Sequence, residues 1–86
     1  MAFNGAFFGT IAPGAANAQR WFFKFGGNGD RGTQYITAHP LNPGGDLLVF
    51  DHSKKLENNG TFTYFVSVRN VGPNVTNFNW QGGGVT

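Results

Sequence analysis

The chain has no cysteine, so no disulfide reinforces it and no thiolate is available as nucleophile or metal ligand. Charge is scarce: six Lys/Arg and four Asp/Glu in 86 residues, a net charge of +2. The cations Arg20, Lys24, Arg31, Lys54, Lys55 and Arg69 are scattered, and only Lys54-Lys55 are adjacent. Nucleic-acid binders concentrate such residues on one face or along one helix, so nucleic acid is not a partner the sequence leads one to expect. No apolar run approaches the roughly 18 residues that cross a bilayer as a helix. Ala16-Asn17-Ala18 resembles a signal-peptidase site, but residues 1–10 carry no positive charge, and Gly9, Pro13 and Gly14 interrupt the apolar stretch. That segment is therefore read as a first strand and not as a leader. The compartment stays open, because cysteine-free sandwiches occur inside and outside cells.

What the chain does have is glycine, asparagine and aromatic residues. Fourteen Gly and ten Asn punctuate runs rich in Phe, Val, Thr and Tyr, the types that suit a pleated, half-buried surface. Six such runs stand out, over residues 3–11, 19–25, 33–39, 46–56, 61–70 and 75–81. The predicted fold is all-β: one small antiparallel sandwich or partly open barrel of six to seven short strands, filling residues 1–86 as a single domain. A domain this size buries only about 60% of the surface its unfolded chain exposes. The one helical element expected is a turn or two within residues 15–20. Gly82-Gly83-Gly84 is either a loose tail or backbone packed where a side chain would clash.

Alternation assigns faces. Phe62, Tyr64, Val66 and Val68 point one way; Thr61, Thr63, Ser67 and Arg69 point the other, joined by Phe65. Asn58-Asn59-Gly60 precedes that strand, and Asn and Gly readily take the positive φ of a tight turn. Residues 46–56 and 61–70 should therefore form an antiparallel hairpin. Trp21, Phe23 and Phe25 share a face opposite Arg20, Phe22 and Lys24. Thr76, Phe78 and Trp80 share a face opposite Asn77, Asn79 and Gln81.

The run from Gly60-Thr61-Phe62-Thr63-Tyr64-Phe65-Val66-Ser67-Val68-Arg69-Asn70 through Val71-Gly72-Pro73-Asn74 resembles the T-Y-x-V-x-V-x-N-x-G segment of bacterial Ig-like β-sandwich domains, including cell-adhesion-related repeats. With His39-Pro40-Leu41 and Asp51-His52 it is also similar to small stand-alone bacterial domains of unknown function. The resemblance covers about half the chain and implies a sandwich with a binding or adhesive role. It supplies no catalytic residues.

Reactive chemistry is thin. Ser53 and Ser67 are the only serines, and a hydrolytic triad needs one beside a histidine and a carboxylate. Asp51-His52-Ser53 holds all three types consecutively, but strand alternation should put Asp51 and Ser53 on one face and His52 on the other. Gly26-Gly27-Asn28-Gly29-Asp30 is one residue short of the calcium nonapeptide spacing and occurs once, whereas such repeats work by stacking; no helix follows to make it a phosphate loop. A calcium site on Asn28 and Asp30 stays open. A metal site from His39, His52 and Asp51 requires strands that sequence cannot make neighbours. Asn59-Gly60-Thr61 and Asn74-Val75-Thr76 match the glycosylation pattern, as an Asn-rich chain does by chance. No catalytic residue, metal or cofactor is assigned, and the chain is expected not to be an enzyme.

The aromatic content is the informative excess: ten Phe, two Trp and two Tyr. A two-sheet sandwich buries only its inner faces, yet alternation leaves Phe8, Phe22 and Phe65 pointing outward. Apolar patches of that kind mark interaction sites. The expectation is therefore a self-associating structural or adhesive module whose homo-oligomer interface uses Phe8, Phe22 and Phe65. The alternative is a carbohydrate-binding module, in which Trp21, Tyr35 or Trp80 stacks on sugar rings while Asn77, Asn79 and Gln81 bond hydroxyls.

Overall fold

The computed structural model describes the backbone of residues 2–84 and the side chains of residues 9–84. Six strands follow the predicted runs closely: β1 (Ala2–Ile11), β2 (Gln19–Phe23), β3 (Gln34–Pro40), β4 (Leu47–Leu56), β5 (Phe62–Asn70) and β6 (Thr76–Gly84). The helical segment is a single 3-10 turn at Ala15–Asn17. The strands form two three-stranded antiparallel sheets, ordered β1-β6-β3 and β2-β5-β4. The architecture is thus a sandwich and not a barrel. The chain changes sheet at every connection except the one between β4 and β5.

That exception is the predicted hairpin. Leu56 pairs with Phe62 and Leu47 with Asn70. The turn closes through Gly60 N–H to the Glu57 carbonyl (3.0 Å) and Glu57 N–H to the Thr61 carbonyl (2.7 Å). Gly60 holds φ 85° with open space where a Cβ would stand, so glycine is needed there for backbone conformation alone. At the other end of the chain, β6 runs past Gln81 into the glycines. Gly82 and Gly83 pair with Phe3 and Ala2 on one side and with Ile36 and Tyr35 on the other. A Cβ on Gly84 would collide with the Thr33 carbonyl, so the glycine run is packed backbone.

The core is made from the inward phase of both sheets. Ile11, Ile36, Ala38, Phe78 and Trp80 come from the first; Phe23, Tyr64, Val66 and Val68 from the second, with Trp21, Phe25, Leu47 and Val49 packed against them. Trp80 sits at the centre, edge-on to Trp21 (5.6 Å between ring centroids), Phe23 (5.4 Å) and Phe78 (5.4 Å). Such pairs add to what area burial alone contributes. Its indole N–H is buried with no acceptor, a cost the ring packing has to outweigh.

Asn70 closes one end of the sandwich. It is fully buried at the end of β5, and its Nδ2 donates to the carbonyls of Ile11 (2.9 Å) and Asn74 (2.6 Å). Its Oδ1 accepts from Gly72 N–H at 2.9 Å. One amide thus joins the end of β1 to the turn between β5 and β6. The opposite end is fastened by the glycine loop: Tyr64 donates its hydroxyl proton to the Gly32 carbonyl (2.6 Å) and accepts from Arg31 N–H (2.9 Å).

Candidate functional site

The sequence-derived candidates separate once faces are assigned. Trp80 is 0% exposed and Trp21 is half-buried against it, so neither ring forms an open platform for a sugar. This corrects the ligand-stacking expectation for Trp80. Alternation had set it opposite Asn77, Asn79 and Gln81, and that is where it stays: the amides point out of the first sheet while the indole points into the core. Tyr35, at 67% exposure, is the one proposed ring in the open, stacked on His52 with centroids 6.0 Å apart. Its register places it on the amides' side of the sheet. Of the proposed interface rings, Phe8 pairs through its backbone with Asn79, and its side chain lies outside the described residues. Phe22 is 62% exposed. Phe65 is only half-exposed, because the Arg20 guanidinium lies 4.1 Å over its ring.

The Asp51-His52-Ser53 expectation is also corrected. Between Phe50 and Ser53 the register with β5 slips by one residue, and Asp51 takes φ 55°. This β-bulge breaks the alternation. Asp51, His52 and Ser53 consequently all line one hollow of about 380 Å³, together with Arg20 and Ser67. They still make no triad: the contact of His52 Nε2 is the Ile36 carbonyl, at 3.3 Å. No group of three or more metal-binding side chains gathers among the described residues.

Asp30 of the glycine loop is engaged by the protein itself. Its Oδ1 accepts from Lys54 Nζ at 2.6 Å and from Gly32 N–H at 2.9 Å. The Lys54 hydrogen bond, then that of Gly32, holds the Asp30 carboxyl below its ordinary value, and Lys54 is raised in return. This pair borders a groove of about 420 Å³ between β3 and β4, lined also by Gln34, Ile36, His52 and Tyr64.

The most distinctive surface is the outer face of the second sheet. Thr63, Phe65, Ser67 and Arg69 of β5 face away from the core. Directly beside them β2 supplies Arg20 and Phe22, and β4 supplies Leu48, Phe50, Ser53 and Lys55. Long side chains from the flanking strands lie flat over the central one, so Thr63 and Ser67 are buried although they point outward. Each outward phenylalanine carries a cation: Arg20 over Phe65, Arg69 over Phe50 at 5.0 Å and Lys24 near Phe22 at 5.8 Å. Four of the six Lys/Arg scattered in the sequence therefore stand on one face. Of its carboxylates, Asp51 lines the hollow with Arg20, and Glu57 is held by the Thr63 hydroxyl (2.8 Å) and Lys55 (3.1 Å), which lower its pKa in that order. Among the described residues, Arg20 and Arg69 form no ion pair, and Lys24 meets Glu57 only through space. The sequence carried no signal for this gathering, because β2 and β5 lie far apart along the chain and their register is not local. No protein-family model, curated protein or solved structure matches the chain, so the geometry carries the functional reading.

Proposed function

We propose that this protein is a non-enzymatic binding module that engages its partner through the outer face of the second sheet. The observation that carries this reading is the arrangement of Arg20, Lys24, Lys55 and Arg69 around Phe22, Phe50 and Phe65 on one face of the sheet. A binding or adhesive role is also what the resemblance to bacterial Ig-like domains implies. The test is retention on immobilised heparin, a generic polyanion. Arg20→Gln should elute at lower salt than the wild type, whereas Lys54→Gln, which removes the same charge from another part of the molecule, should elute close to the wild type. Equal shifts from both would mean that net charge alone governs retention and would end the face-specific reading.

Self-association is the second reading, and the exposed ring of Phe22 favours it. Phe65 contributes less than alternation suggests, since Arg20 covers it. A symmetric face-to-face pair also sets four cations against their own copies, which opposes that geometry. Contact through Phe22 and the edge strand β2 avoids the clash. Sedimentation should then show an oligomer that Phe22→Lys dissociates; a dilution-independent monomer would leave the face to a different partner. The carbohydrate alternative keeps Tyr35, Asn77, Asn79 and Gln81 on the first sheet but loses its tryptophan platform.

A further inference from the structure

We propose that the outer face of the second sheet binds single-stranded nucleic acid. The inference rests on reading that face as the binding surface, and it names the partner's chemistry.

Three features of the face match such a strand. The first is charge: Arg20 and Arg69 form no ion pair among the described residues, Lys24 meets Glu57 only through space, and Lys55, though paired with Glu57, is largely exposed beside them. Phosphates along a backbone are the natural complement to such a stripe. The second is the aromatic surface. Phe22 is open to solvent, and the Arg20 guanidinium rests over Phe65. A phenyl ring and a guanidinium plane both accept a stacked base without reading its identity. Phe22 pairs across the sheet with Phe65, so the open ring and the guanidinium over Phe65 offer two neighbouring platforms. The third is the hollow beside Arg20, where Ser53, Ser67 and His52 line a space of about 380 Å³. It is a seat for one phosphate, with Arg20 as the charged donor. Asp51 also lines it and opposes an anion there, which gives the proposal a diagnostic of opposite sign.

The open ring of Phe22 selects a single strand over a duplex. Paired bases offer only their edges within the grooves, whereas unpaired bases present their rings. Sulfated glycans and anionic membranes would satisfy the cations, but neither offers a flat aromatic base to stack on the Arg20 guanidinium as well as on Phe22.

The test is fluorescence anisotropy with labelled oligothymidylate of roughly twelve nucleotides, within the usual site size of a single-strand binder. The wild type should bind at low salt, with log affinity falling against log salt at a slope of roughly −3, as expected for four phosphate contacts on a single strand. Phe22→Ala should weaken binding roughly 5- to 150-fold, the range for loss of one stacked base. Arg20→Gln should flatten the salt slope by about one contact. Asp51→Asn should tighten binding, and asparagine keeps the positive φ readily, so that variant also guards against misfolding. Absence of binding by the folded wild type would overturn the proposal. So would affinity indifferent to Phe22→Ala, or competition by heparin or phosphatidylserine vesicles that depends on Phe22 as strongly as the oligonucleotide does. If heparin retention still depends on Arg20 in those cases, the face remains the binding surface and only its partner has been misassigned. Loss of both dependences would sink the two readings together.

Discussion

Trp80→Ala should destabilise the protein by about 3–5 kcal/mol, as removal of a large buried aromatic does. A domain of this length has roughly 4–13 kcal/mol in total, so the variant should lose a large share of its stability. The size of the effect follows from position. Trp80 is the central ring of the core, touching Trp21 and Phe23 across the sandwich and Phe78 on its own strand, and no disulfide limits the loss. Urea denaturation followed by circular dichroism measures it. Trp80→Phe is the informative companion, because it keeps an aromatic ring and removes the N–H that has no acceptor. It should cost clearly less than the alanine variant. If Trp80→Ala cost under about 1 kcal/mol, the ring could not be the packing centre described here.

Asn70→Leu should be nearly as damaging, for a different reason. The substitution keeps roughly the same bulk and adds apolar surface, so a purely hydrophobic ledger favours it. It nevertheless strips hydrogen-bond partners from the Ile11 carbonyl and the Gly72 amide, while the Asn74 carbonyl keeps only the Thr76 hydroxyl, at 3.1 Å. Each buried group left unpaired costs roughly 1–3 kcal/mol, and a total of about 3–5 kcal/mol is expected. Hydrogen exchange gives a local readout: the Gly72 amide should lose protection more than amides at the Asn58-Asn59-Gly60 turn, at the far end of β5. A neutral effect would show that water replaces the amide at no cost.

The two residues also mark where sequence reading succeeds and where it stops. The six strands, their faces and the β4–β5 hairpin were legible because each depends on neighbours: alternation along a run, or Asn-Asn-Gly between two runs. Asn70 was not legible, because its role depends on Ile11, which arrives from the other sheet. Alternation placed Trp80 with Phe78 and Phe22 with Arg20, but it states only which residues share a face, and the covering of a face is a tertiary property. The bulge at Asp51 had no decisive local marker, since aspartate tolerates positive φ but does not require it, and its neighbours read as ordinary strand. Phe65 shows the reverse problem. Its outward direction was correct, but the arginine that shields it lies on β2, a strand distant in sequence.

The place of β6 in the first sheet has a consequence for the order of events at the ribosome. It is the middle strand, so β1 and β3 have no ladder partner until it arrives, and it is synthesised after both. The second sheet is complete in the chain by Asn70, whereas Ile11 pairs with Thr76. Until residues 76–84 are made, therefore, the nascent chain carries two unpaired strands and a second sheet whose inner face lacks Phe78 and Trp80. Joining β1 to β6 then requires closing most of the chain into one loop, the kind of distant contact that slows folding. The first sheet forms only late, and the interval before it does is when the chain is most open to mispairing with a neighbour on the same messenger.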